Sequence, residues 1–224
     1  MGYKLPDDYI ALDLETNGLP KKGDFSEVEA TEIGGCIVKG REIVDTFNEL
    51  CKPVDKDGNQ LPLSAKIVEI TGLTDELLKD ADPTLEVMRR VLPNSLAREE
   101  PLVGSNIIGF DKPILDKYCD MLGLERIPEH RFIDSAALFK TYRRAHSAGH
   151  DDWDLPSTQA TFYTWAKSVL QFSWRQDKVK YNVDAALGYL AVPLFGVTGD
   201  RHRAVFDSKC CHLILEKLRE VLDL

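Results

Sequence analysis

Four acids and one histidine stand where their types and spacing could do chemistry. Asp13 and Glu15, in ALDLET, are two residues apart, which on a β-strand puts both carboxylates on one face about 7 Å apart. Two like charges that close call for a counter-ion. Hard oxygen ligands at a strand end suit Mg²⁺ or Mn²⁺ and leave positions for water and phosphate oxygens. Taken alone, such a pair in so acidic a chain also reads as a solvated strand edge. Asp111, in VGSNIIGFDKPIL, follows a predicted strand and opens a helix, where ligand sites of open α/β sheets gather. A helix N-cap is its alternative role, and the two are compatible. In DRHRAVFDSK, His202 precedes Asp207 by five residues, with Asp207 on the first turn of the last helix and His202 on the loop before it. An imidazole there can take a proton from a coordinated water near neutral pH. The other histidines, His130, His146, His150 and His212, read as ordinary surface residues.

The elements that must position these groups follow from hydrophobic period and turn chemistry. DYIALDL (8–14) is a short apolar run that breaks at Thr16-Asn17-Gly18, so it predicts a buried strand delivering its acids to a turn. ATEIGGCIVK (30–39) and EIVDTFNELC (42–51), joined around Gly40, predict hairpin partners. Asp82-Pro83 then supplies an N-cap and first-turn pair for a helix through Leu85, Met88 and Leu92. PLVGSN (101–106) predicts a fourth strand, followed by a helix bearing Phe110, Ile114, Leu115, Tyr118 and Leu122, and RFID (131–134) with SAALFKTY repeats that order. A long amphipathic helix through Leu213, Leu215, Leu218 and Leu222 closes the chain. Three strands, then helix-strand-helix-strand-helix, imply an α/β fold with a mixed five-stranded sheet flanked by helices.

Residues 143–180 fit that scheme less simply: a polar loop, RRAHSAGHDDWDLP, and then a helix carrying Phe162, Tyr163, Trp165, Leu170, Phe172 and Trp174. We read the chain as one domain, 1–224, with this segment as a helical insertion before the last helices. It is either a surface excursion packed by its own aromatics, or a lid, a dimer contact or a platform on which bases stack. Lys140 to Lys180 holds seven Lys and Arg against four Asp, a local +3 in a chain whose total is -9. That total argues against a general electrostatic grip on nucleic acid, yet suits a site whose carboxylates hold metal. With 224 residues, 43% apolar and 29% charged, the chain can bury a full core without a membrane-length apolar run. No signal or transit peptide is recognisable, and cytoplasm is the simplest address. The five cysteines, without CxxC spacing, predict reduced and mostly buried thiols.

The order DLET, NIIGFD, HRAVFD resembles the three motifs of the DEDDh superfamily, the DnaQ-like exonucleases, and the likeness runs from Tyr9 to about Val221. ITGLTDELL (70–78) and FIDSAALF (132–139) are similar to the connecting segments of that family. The resemblance implies an RNase H-like fold and 3′-to-5′ hydrolysis of terminal phosphodiesters of DNA or RNA to nucleoside 5′-monophosphates. It implies two divalent cations, Mg²⁺ or Mn²⁺. Asp13, Glu15 and Asp207 would ligate the catalytic one, Asp111 with Asp13 the second, and His202 would be the general base. It further implies that Thr16 and Leu19 contact the terminal nucleotide, Leu19 as a wedge, while Asn106 and Phe110 shape the pocket floor. Asn106 stands five residues before Asp111, a spacing closer to the exonuclease domains of family-B polymerases, and the 143–180 segment is longer than compact members need. Arg143, Arg144, Arg175 and Lys180 are candidates for gripping upstream phosphates. The expected partner is a nucleic-acid 3′ end, single-stranded DNA or RNA, and not a membrane, with a homodimer or a polymerase partner both compatible. A binding or scaffolding module that keeps the fold without catalysis is the competing class; all five catalytic positions being filled ranks it below the enzyme.

Overall fold

The computed structural model describes residues 3–149, 155–176, 180–194 and 196–224, leaving out the side chains of residues 96 and 172–176. Phe172, Trp174, Arg175, His150 and the centre of the predicted polar loop therefore lie outside the described residues. Three antiparallel strands come first: β1 (Tyr9–Thr16), β2 (Ala30–Lys39) and β3 (Glu42–Leu50). Short helices α1 (Ala65–Thr71) and α2 (Asp75–Leu78) precede α3 (Thr84–Leu96), β4 (Leu102–Gly104) and α4 (Asp111–Leu122). A single 3-10 turn at Glu129–Arg131 leads into β5 (Phe132–Asp134) and α5 (Ser135–Ser147). Helices α6 (Gln159–Gln176), α7 (Val183–Tyr189) and α8 (Ala204–Leu222) finish the chain. The sheet order is β3-β2-β1-β4-β5, with β4 and β5 parallel to β1, which is the mixed five-stranded sheet expected from the sequence.

Alternation along β1 sorts its two faces. Ile10, Leu12 and Leu14 are buried on one face, while Asp13 and Glu15 are only partly covered on the other. Helices α3 and α4 pack together on the apolar side, where Leu92 and Leu115 approach Ile10 and Leu12. Helix α8 crosses β1 and β2 on the side that carries the acids, with α5 and α7 against it. Its buried stripe is Cys210, Cys211, Ile214, Leu215, Leu218 and Leu222, with Leu213 turned partly outward. All five cysteines are buried and none is disulfide-bonded.

Several elements differ from expectation. The fourth strand stops at Gly104, not residue 106, because Asn106 adopts a left-handed backbone (φ 63°) and turns the chain. Pro83, not Asp82, is the N-cap of α3; no side chain caps that end, and Asp82 instead pairs with Arg90 at 2.7 Å. ITGLTDELL folds as the end of α1 and the whole of α2, each begun by a hydroxyl cap, Ser64 and Thr74. His212 is not at the surface. It lies 7% exposed on α8, its Nδ1 2.6 Å from the Tyr9 hydroxyl, because its position on the helix falls on the sheet-facing stripe. Helix α6 does not pack only on itself: Phe162, Tyr163, Ala166 and Leu170 join the core that contains the sheet.

Candidate active site

Strand β1 ends in the acids because its register does. Asp13 pairs with Gly34 and Glu15 with Glu32 on β2, and a bulge then shifts the ladder between Glu15 and Thr16. A bulge ends regular pairing and re-aims the side chains beside it. Glycine at 34 has a specific cause. A Cβ there would meet the Cβ of Ala204 and the backbone nitrogen of Val205 at 2.9 Å, so only a bare backbone lets the start of α8 lie on β2 beside Asp13. Glu32, 1% exposed, completes the attachment: it accepts bonds from Arg203 Nε and Nη2 and from the Ala204 amide at 3.0 Å. That anchorage delivers Asp207, on the first turn of α8, to β1. Ligand oxygens of Asp13, Glu15 and Asp207 lie within 4.8 Å of one another.

Asp111 is not part of that trio. It opens α4, but its carboxylate does not cap the helix: Oδ1 accepts the amide of Leu14 at 3.0 Å, between the two acids of β1. Its charge is nonetheless close enough to push the Asp13 carboxyl upward. His202 sits before α8 in a left-handed backbone conformation (φ 59°), with Nδ1 4.0 Å from Asp207 Oδ2 and a side chain 43% exposed.

The electrostatics of the cluster follow from its burial and its crowded charges. Burial, then Asp111 and Glu15, hold Asp13 well above the usual carboxylate range, and burial does the same to Asp111. Burial, then Glu32, pushes Glu15 up to about 7. Arg201, bonded to Asp207, works in the other direction on both Asp13 and Glu15. Carboxylates held this close and this dry favour protonation unless positive charge is supplied. An all-oxygen donor set is the one that hard divalent cations prefer. The residues present therefore fit a divalent metal site.

An exonuclease family model, RNase T, matches residues 10–161. The chain belongs to this exonuclease family. A PolC-type DNA polymerase III of Caldanaerobacter subterraneus subsp. tengcongensis is 27% identical over 221 residues, 97% of this chain and 12% of the polymerase. The Bacillus subtilis PolC-type polymerase is 38% identical over 81 residues, 36% of this chain and 5% of the polymerase. The chain thus spans about an eighth or less of these relatives. Among solved structures, the nuclease domain of 3′hExo, a DEDDh family member bound to rAMP, superposes with a TM-score of 0.59 at 18% identity, covering 97% of this chain and 92% of that one. Exonuclease X in complex with 5′ overhanging duplex DNA gives 0.57 at 16% identity, covering 96% and 93%. E. coli Exonuclease I in complex with a dA16 oligonucleotide gives 0.66 at 12%, covering 97% and 42%. The chain has the DnaQ-like, RNase H-like fold of these neighbours.

Thr16 is buried at the bulge and donates its hydroxyl to the Gly18 carbonyl at 2.8 Å. Leu19, in the turn beyond, is 77% exposed. Phe110 is half-buried, with Phe25 edge-on at 5.9 Å. Asn106 shapes the turn that leads to Asp111, its carbonyl taking the amides of Gly109 and Phe110. Arg143 donates to the Lys180 carbonyl at 2.9 Å and covers the Tyr189 ring. A cleft of about 730 Å³ between α4 and α6 is lined by Lys112, Lys117 and Arg126, but none of the four acids reaches it. These three cations pair with Asp116, Glu29 and Asp120.

Sequence reasoning missed four contributors. Glu32 was an acid inside an apolar strand run, and Arg201 and Arg203 flank His202; each carried a signal only in retrospect of the fold. Asp134 caps α5 and also accepts the amides of Asn106 and Ile108, which fixes the turn before Asp111. Its place before Ser-Ala-Ala was a legible N-cap signal. Burial pushes its carboxyl up to about 6 against those four backbone bonds.

Proposed function

We propose that the protein is a divalent-metal-dependent 3′-to-5′ exonuclease that removes nucleoside 5′-monophosphates from the 3′ ends of DNA or RNA. The observation that carries this reading is the convergence of Asp13, Glu15 and Asp207 within 4.8 Å, with Asp111 held against β1 between the first two. Asp13, Glu15 and Asp207 would hold one cation, and Asp111 with Asp13 a second. Bound Mg²⁺ or Mn²⁺ would offset charge on the attacked phosphate and make a water easier to deprotonate.

The rest of the chemistry belongs to the chain. His202 takes the proton of the attacking water at Nε2, since Nδ1 faces Asp207. Burial, then Arg201, keeps the imidazole below its usual pKa, so it is neutral and able to accept at neutral pH. Leu19 and Phe110 flank the terminal base, one exposed in the turn after β1 and the other at the start of α4. Thr16 and Asn106 hold those two turns in shape. Residues 1–224 form one exonuclease domain in this reading, and the 143–180 segment contributes to substrate choice. The likeness to PolC-type polymerases supports a polymerase partner, and buried, unpaired cysteines suit the reducing cytoplasm.

The test uses oligonucleotides labelled at either end, with Mg²⁺ or Mn²⁺ and with EDTA. A 3′ label should appear at once as mononucleotide and a 5′ label as a shrinking ladder, both blocked by EDTA and by Asp13→Ala. Absence of mononucleotide from DNA and from RNA would sink the proposal, and matched DNA and RNA substrates rank the two.

A further inference from the structure

Arg201 lies on the turn before α8, and its guanidinium reaches two carboxylates at once. One arm, Nη1, donates to Asp207 Oδ1 at the acid cluster. The opposite side of the fork holds Asp184, on the first turn of α7: Nε donates to Oδ1 at 2.9 Å, and Nη2 lies 2.8 Å from the same oxygen. The ring of Phe206 lies against it, 5.9 Å from the guanidinium carbon. These two attachments are not equivalent. Asp207 is 9% exposed and belongs to the cluster, whereas Asp184 is 57% exposed and faces water.

We infer that Arg201 is a displaceable internal counter-ion of the acid cluster, neutralising Asp207 until Asp207 exchanges the guanidinium for a divalent cation. The inference rests on the proposed metal-binding role of Asp207. A planar fork can surrender one arm without leaving, because its bonds to Asp184 do not depend on Asp207. Arg201 is 28% exposed, so water replaces the lost partner of Nη1. The two cations compete: both draw on the charge of the Asp207 carboxylate, and a doubly charged ion there repels the guanidinium bonded to it. Asp184 then keeps the released side chain beside the site rather than letting it swing into solvent. Its negative charge also shares the guanidinium's positive charge, which weakens the hold of Arg201 on Asp207.

Calorimetric titration of Mn²⁺ into the metal-free full chain, without nucleic acid, tests this independently of turnover. Arg201→Gln should bind Mn²⁺ about tenfold more tightly than wild type, the factor that corresponds to one charge-assisted bond. Asp184→Asn should shift affinity the opposite way, because Arg201 then rests on Asp207 alone. Arg201→Lys keeps the charge but divides a single ammonium between Asp184 and Asp207, leaving Asp207 free part of the time, so its affinity should fall between wild type and Arg201→Gln. Circular dichroism establishes that each variant is folded; if Arg201→Gln is not, the Lys and Asn variants decide by their opposite shifts. Unchanged or weaker binding in both arginine variants, with wild type binding normally, overturns the inference and leaves the metal site standing. No heat from wild type at millimolar Mn²⁺ overturns both.

Discussion

Asp111 and Leu14 are joined by one hydrogen bond, carboxylate to amide, that ties the start of α4 to β1 midway between Asp13 and Glu15. Strand β4 pairs with β1 only at Ile10 and Ala11, so the Leu14 amide lies beyond the reach of that ladder and Asp111 serves it instead. One side chain thus satisfies a buried donor and brings a fourth carboxyl group to the site. Asp111→Asn keeps an accepting oxygen and should leave the melting temperature within a few degrees of wild type. Asp111→Ala orphans a buried N–H and should cost about 1–3 kcal/mol. Both should lose exonuclease activity, so melting curves and assays together separate the two duties.

Glycine 34 sets the distance between α8 and the sheet. Gly34→Ala adds a methyl where backbone already lies at 2.9 Å and should destabilise by about 1–3 kcal/mol. Because the shift falls at the start of α8, activity should fall more than stability does. A variant with normal activity would show that Asp207 does not depend on this close approach.

Glu32 holds α8 by its charge. Burial raises its carboxyl, but Arg203, the Ala204 amide and Asn48 together bring it below the usual value. A depressed folded value contributes stability that is present above the unfolded pKa, near 4.5, and disappears as pH falls through the folded one. Glu32→Gln should therefore cost about 1.5–3 kcal/mol at pH 7 and close to nothing in acid. Denaturant midpoints at the two pH values measure the difference.

The acid cluster has the opposite sign. Glu15 rises from 4.5 to about 7, so its contribution to stability is complete below pH 4.5 and is lost as pH rises through 7. Metal-free protein should melt several degrees lower at pH 8 than at pH 5, each 1 kcal/mol being worth roughly 2–4 °C in a chain of this size. Saturating Mg²⁺ should remove that slope. A slope unchanged by Mg²⁺ would count against metal at these carboxylates.

His202 is held below 6.5 by burial and then by Arg201, with Asp184 opposing. A base must be neutral to act, so the acid limb of kcat/KM should lie below pH 6.5 and vanish in His202→Ala, with a loss of about 10²–10⁴-fold. Arg201→Gln should move that limb to higher pH, because one positive neighbour is gone. A limb that stays in place would remove Arg201 from the environment of the base.

The sequence by itself marked the five strands, the longer helices and the candidate acids. The period of two in β1 put Asp13 and Glu15 on one face, and the apolar stripe of α8 put Asp207 on its first turn. These are local properties, written within a few residues. What only the tertiary structure decided is how the pieces meet. The Asp111 bond to Leu14 spans 97 residues, and the Glu32 bonds to Arg203 and Ala204 span 171 and 172. The same holds for His212, polar in sequence yet buried against Tyr9, which is 203 residues away. No hydrophobic period or turn signal records such pairs. They depend on which helix face meets which strand, and that is settled by burying the whole core at once.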